Sequence, residues 1–234
     1  MAVGSKIFPQ DNAASLASGA IATSADIFAT RQHWRDWAET FLIFALFEAV
    51  LWTPRSIIHT LLIALVVGGV VWFTFRRNSR VELGLVWPAE GGAWILAMGL
   101  FVAIAIPGLA LLTGHPVPAN PGWPKFQNLW PYLIWAFAQQ FLLQSFFFLR
   151  LEGLARARWA VAASTFLFTL AHLPNIALTI MTVVGAIFFT EMFRRYRSIY
   201  PLGIVHALLG TAIAYSFPDS LMHHMRVGLS YWQF

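Results

Sequence analysis

Three glutamines and two histidines stand in stretches that are otherwise apolar. The run WAFAQQFLLQSFFFLRL carries Gln139, Gln140 and Gln144. In a helix Gln140 and Gln144 share a face, with Gln139 about 100° around it. Phe168 and His172 are also four apart, at the end of a second apolar run. His206 lies well inside a third, with Gly210 one turn on, while Glu48 and His59 are lone polar residues in two others. An imidazole nitrogen can act as a base, donate a hydrogen bond or bind a metal. A glutamine amide offers two donors and an acceptor but cannot take up a proton as a general base must. Polar groups in hydrocarbon are costly and need partners. A lone glutamine or histidine there commonly holds two helices together, for roughly 0.6–2 kcal/mol. Three glutamines within six residues, with two histidines on other helices, point instead to one converging pocket. Phe168 alone reads as packing, and His223 with His224 as a solvated or interfacial pair.

The chain that must position them is built for lipid. Its 234 residues are 59% hydrophobic and only 11% charged, against about 25% charged in an ordinary soluble domain. A spanning helix needs about 20 mostly apolar residues. Segments 56–75, 92–113, 129–149, 176–190 with its flanks, and 199–217 meet or approach that length. Two more are shorter or interrupted. Segment 37–52 contains Glu39 and Glu48, and 159–172 stops at Leu173-Pro174-Asn175, where proline disfavours helix. The expected fold is all-α, a polytopic bundle of about seven transmembrane helices. An arm (1–33) precedes the bundle (34–217), and an amphipathic tail (218–234) follows it.

The net charge of +5 does not mark a nucleic-acid binder, because the basic residues fall in short clusters between apolar runs. With the amino terminus in the cytoplasm, twelve of the 15 Lys and Arg residues lie inside and only Arg55, Lys125 and Arg226 outside. That bias sets the orientation and leaves the carboxyl terminus on the opposite side. Trp37, Trp52, Trp72, Trp94, Trp130 and Trp159 fall near the ends of the expected helices, as interfacial rings do. No cleavable signal peptide is expected in 1–30, which has a lone Lys6 and no continuous apolar stretch. Segment 114–125 carries four prolines and reads as a stiff outer loop, and 81–92 as an inner loop along the surface. The chain has no cysteine, so disulfides, thiolate metal sites and cysteine nucleophiles are excluded.

At its polar positions the chain resembles the CAAX-protease and bacteriocin-processing (CPBP, or Abi) family of intramembrane proteases. That family carries Glu-Glu-x-x-x-Arg, then Phe-x-x-x-His, then His-x-x-x-Asn/Asp on successive helices. Phe168-Thr-Leu-Ala-His172 matches the second motif, and His206-Ala-Leu-Leu-Gly210 matches the third except at its last position. Gln139-Gln140-Phe-Leu-Leu-Gln144 occupies the place of the first, with glutamine for both glutamates and the arginine. Phe-Leu-Arg150-Leu and Val81-Glu-Leu-Gly84-Leu are also similar, and the likeness runs over about 80–215. The resemblance implies that Gln139, Gln140, Gln144, His172 and His206 stand at catalytic positions, where paired glutamates and histidines activate a water, with or without a metal. Gln140, Phe168, His172 and His206 would then contact a ligand.

Glutamine keeps the shape of glutamate while losing its charge and basicity. The expected function is therefore a CPBP-like membrane protein that binds rather than cuts: a receptor, chaperone or complex subunit. Its partners would be the bilayer, a membrane protein, or an apolar or lipidated peptide. The alternative is an active intramembrane peptidase with a rearranged site of His172, His206 and Glu48. No cofactor is named by the sequence, and at most His172 and His206 would be good metal ligands.

Overall fold

The structure is a computed structural model that describes residues 24–112 and 129–233, with side chains from residue 32 onward. The beginning of the arm and the proline-rich loop 114–125 lie outside the described residues. The chain divides into two compact units, 1–35 and 36–234. Of the first, only the opening turns of helix α1 are described.

Every regular element among the described residues is helical. They are α1 (Ser24–Trp52), α2 (Ile57–Phe75), α3 (Gly92–Leu112), α4 (Leu129–Gln140), a π-helical segment (Phe141–Phe148), α5 (Leu149–Leu154), α6 (Ala157–Leu170), α7 (Ile176–Tyr196), α8 (Tyr200–Ser216) and α9 (Asp219–Met222). Of these, α2, α3, α7 and the continuous run Leu129–Leu154 are long and apolar enough to cross a membrane. The seven expected spans thus reduce to four that meet length and composition. Segment α6 has 14 residues and α8 has 17, and α1 carries Asp36, Glu39 and Glu48.

Local chemistry sets the breaks. The Ser56 hydroxyl accepts from the His59 amide and starts α2. Pro174 lacks an N–H and ends the run after α6. Asn175 then caps α7 by accepting from the Leu178 amide at 3.1 Å. Arg197, in left-handed geometry (φ 46°), closes α7. The Gly84 carbonyl accepts from the Ile199 amide at 3.0 Å. Gly84 has φ +68°, and a Cβ there would sit 3.2 Å from the Ser198 backbone, so only glycine fits. Segment 81–85 is therefore docked rather than lying loose on the surface. Leu83 is fully buried, and its carbonyl accepts from the Ser145 hydroxyl at 2.7 Å.

Helices α3 and α4 pack on α8, and α6 packs on α7. The main core joins Ile95, Phe148, Phe193, Leu202 and Val205. Val205 fits over Gly99, where a Cβ would collide with it. The α1–α2 hairpin meets this body through Ile43, Val66 and Val70 against Phe146 and Phe147. Many large side chains face outward, such as Phe101 (68% exposed) and Leu112 (87%), which suits lipid and not water.

The sequence pattern predicts an unbroken α-helix over 129–149, yet Phe141–Phe148 is π-helical, and the Leu149 amide bonds to the Gln144 carbonyl. The six consecutive residues 143–148 are all buried. An α-helix with one solvent or lipid face cannot do that. This segment is enclosed by α2, α6 and α7, so it has no such face.

The tail differs from the amphipathic helix expected. It is α9 followed by two short 3₁₀ turns, His223–Met225 and Gly228–Trp232. His223, His224 and Met225 all have positive φ, which no continuous helix allows.

Candidate functional site

A cavity of about 370 Å³ lies between the α1–α2 hairpin and the body of the bundle. Phe44, Phe47, Val66 and Val70 form one wall, while α4, α6, α7 and α8 form the other. Met225 and Val227 of the tail also line it. The tail is tied down where it does so. The Asn175 amide donates to the carbonyls of Met222 (2.7 Å) and Arg226 (3.2 Å), and the Gly228 amide donates to the Leu173 carbonyl at 2.8 Å. Among the described residues no Asp, Glu, Lys or Arg lines the cavity. Its described polar lining side chains are Tyr132, Trp135, Gln139, Thr182, His172 and His206.

Both histidines are brought to this cavity, and each has one ring nitrogen already engaged. His172 Nδ1 lies 2.7 Å from the Phe168 carbonyl. The Phe168 ring packs against His172 with centroids 4.9 Å apart, and edge-on to His206 at 6.4 Å. Phe168 is thus both a wall of the cavity and the group that aims His172. His206 Nδ1 lies 3.0 Å from Gln140 Nε2, and its ring stacks on Phe189 at 5.4 Å. Gln144 Nε2 donates to Gln140 Oε1 at 3.2 Å. The result is a directional chain from Gln144 through Gln140 to His206. Gln140 and Gln144 are both fully buried, and Gln144 Oε1 has no partner.

The glutamines are therefore divided. Gln139 lines the cavity, whereas Gln140 and Gln144 stand behind His206 and fix it. Gln140 is a support for the imidazole and not itself a wall of the cavity. Glu48 lies outside the lining; its Oε2 accepts from Trp52 Nε1 at 3.2 Å and its Oε1 is buried without a partner. His59 sits in the first turn of α2, away from the cavity lining.

Tyr132 was missed in the sequence. A Cβ added to Gly210 would run into the Tyr132 hydroxyl. The glycine that breaks the third motif therefore makes room for a tyrosine of α4, and both residues line the cavity. The signal was present as two residues a helix apart, one too small and one too large, but only the packing of α4 on α8 couples them.

A second polar cluster lies at the far end of α1. The Glu39 carboxylate is paired with Arg76, with Arg77 at 3.2 Å and with Arg150 at 3.2 Å, and Arg77 pairs with Asp36 at 2.5 Å. Arg150 is buried, donates to the carbonyls of Phe146 (3.1 Å) and Phe73 (2.8 Å), and lies over the Phe146 ring at 3.9 Å. These contacts fasten the α1–α2 hairpin to the body at the end opposite Leu51 and the tail.

The cavity donors do not fit a catalytic zinc, which takes three protein ligands. Among the described residues no group of three His, Cys, Asp or Glu side chains could hold a metal ion, and the cavity supplies two imidazoles.

Residues 121–212 match the family described as Rce1-like, type II CAAX prenyl endopeptidase Rce1-like. The segment contains all three motif positions, so the CAAX-protease resemblance holds at the level of the family. Apolar helices of spanning length together with this membrane-protease likeness make the chain an integral membrane protein. No curated protein and no solved structure matches it.

Proposed function

We propose that this protein is a CAAX-protease-like membrane protein that binds an apolar or lipidated ligand in its intramembrane cavity without hydrolysing peptides. One observation carries the reading: His206 is held by the Gln140 amide in a cavity that no carboxylate lines among the described residues. Water activation needs a group that accepts a proton and a field that stabilises the charge formed. Gln139, Gln140 and Gln144 cannot accept that proton, whatever their amides contribute to the field. Glu39 is committed to three arginines, and Glu48 lies outside the cavity lining. A cavity of this volume with mostly apolar walls and a few polar groups is the usual form of a small-ligand site.

The proposed topology is seven crossings with a cytoplasmic amino terminus and the carboxyl terminus opposite. In support, Arg76 and Arg77, Arg150, and Arg197 with Glu152 gather at one end of alternate helices. The tail and the 171–175 turn meet at the other end. Clustering of arginine at one end is the pattern of a cytoplasmic face.

The test is to purify the protein and its His206→Ala variant and assay cleavage of prenylated and transmembrane peptides. The expected result is no His206-dependent cleavage, with or without added zinc. Robust cleavage that His206→Ala abolishes would overturn the reading in favour of a rearranged peptidase.

A further inference from the structure

We infer that the ligand of the cavity is an uncharged amphiphile whose head both donates and accepts a hydrogen bond: a hydroxyl or a primary amide on an apolar chain. This deepens the binding reading above and rests on it.

The argument starts from which ring nitrogens remain. A backbone carbonyl can only accept, so His172 Nδ1 must carry the hydrogen it gives to Phe168. No carboxylate lines the cavity to offset a charge on either ring, so each imidazole counts as the neutral ring with one donor and one acceptor. His172 therefore offers the cavity an acceptor at Nε2. His206 is the reverse. The Gln140 carbonyl is taken by Gln144, which turns the Gln140 amide nitrogen toward His206 Nδ1. His206 Nδ1 accepts, so its hydrogen sits on Nε2 and is available to the cavity. Turning both amides over would leave the buried Gln144 NH₂ group unmet in place of one carbonyl oxygen. Orphaned buried N–H groups are the rarer outcome. Neither Nε2 has a partner among the described residues.

The two imidazoles thus present one acceptor and one donor from two different helices, beside the Gln139 amide and within walls to which the described residues contribute no Asp, Glu, Lys or Arg. An anionic head finds no cation there, and a cationic head finds no carboxylate. Either would be desolvated without compensation. A hydroxyl or primary amide carries both the donor that His172 Nε2 can accept and the acceptor that His206 Nε2 can donate to, and its chain suits walls that include Phe44, Phe47, Phe141 and Leu142.

The experiment measures binding of a series with one chain and different heads: dodecane, dodecanol, dodecanamide, dodecanoate at neutral pH, and dodecylammonium. Purified protein in a fixed detergent is titrated with each, and the shift in thermal unfolding is read. Dodecanol or dodecanamide should raise the midpoint well above the alkane, and the two charged heads should not. If only one of the neutral heads does so, it identifies the ligand as an alcohol or as an amide. His172→Phe and His206→Phe should each weaken that binding about tenfold, as loss of one buried hydrogen bond does. Equal shifts for alkane and alcohol, tighter binding of a charged head, or no response to either neutral head would each overturn the inference. The series on the unaltered protein decides this even if a variant fails to fold. Peptide cleavage would instead show in the assay described above, so the two failures are separable.

Discussion

The two polar clusters solve the same burial problem in opposite ways. At one end of the bundle Glu39 and Arg150 are buried as an ion pair, and each is matched by several partners. At the cavity the described lining holds amides, hydroxyls and imidazoles without a carboxylate, guanidinium or ammonium, and hydrogen bonds link Gln144, Gln140 and His206. Charge is tolerated where it fastens helices and kept out where a ligand would sit. Gln139, Gln140 and Gln144, which the resemblance sets against two glutamates and an arginine, carry no charge in this chain. Its buried carboxylate–arginine cluster lies elsewhere, at Glu39 and Arg150.

Breaking the charged cluster should have the largest effect. Glu39→Leu leaves Arg150 buried with only carbonyls and an aromatic ring beside it. Removing one partner of a buried pair costs about 3–5 kcal/mol. Loss of folded protein, or a large fall in the thermal midpoint, is expected; a change of a degree or two would mean that lipid or water compensates Arg150.

Charging the neutral cluster is the converse. Gln139→Glu with Gln140→Glu places two carboxylates side by side, without the arginine that Gln144 replaces. The double variant should lose about 1–3 kcal/mol of stability and gain no peptide cleavage. Recovery of His206-dependent hydrolysis would show that the two clusters differ less than their chemistry suggests.

Gly210→Asn restores the residue type of the family motif. Here it should destabilise the protein by about 1–3 kcal/mol, because the Tyr132 hydroxyl already fills the space. A double-mutant cycle with Tyr132→Ala should recover much of that loss. Additive effects would mean that the two residues are not coupled.

The smallest effect lies outside both clusters. Glu82 accepts from the Ser79 amide at 2.7 Å and then from the Ser79 hydroxyl at 2.9 Å, and these bonds hold its carboxyl below the usual carboxylate range. A lowered folded-state value means that its contribution is present above the ordinary carboxylate pKa and is lost as pH falls through the folded value. Protection of the 79–85 amides, taken relative to their intrinsic exchange rates, should therefore fall as pH drops through the Glu82 titration, and Glu82→Gln should remove that pH dependence of the protection.

The polar positions were legible in the sequence because three glutamines within six residues, with histidines on two other apolar runs, are more than helix-to-helix hydrogen bonding alone calls for. The break before Asn175 was legible because proline cannot donate. What stayed hidden depends on contacts between helices. Nothing local distinguishes Gln139, which lines the cavity, from Gln140, which supports His206. Gly210 stood in the sequence only as a departure from the third motif, and its fit against Tyr132 shows in the packing alone. The π-helical segment escaped notice because phenylalanine and leucine suit either helix, and only its enclosure on all sides favours the wider turn. Among the described residues four helices meet both length and composition for a span, because α6 and α8 are short and α1 carries acidic residues.

That π-helical segment also fixes a phase. Gln140 lies immediately before it and Arg150 two residues after it, so the azimuth at which each meets its partner is set by how many residues the segment holds. In an α-helix one residue corresponds to about 100° of rotation. Each residue of a π-helix turns through less than that, so relaxing these eight residues to ordinary α geometry without changing their number would swing everything beyond them. Gln140 could keep His206, but Arg150 would then turn away from Glu39. The length of this stretch is thus the gauge that lets one continuous rod serve a neutral pocket and a charged clamp at the same time.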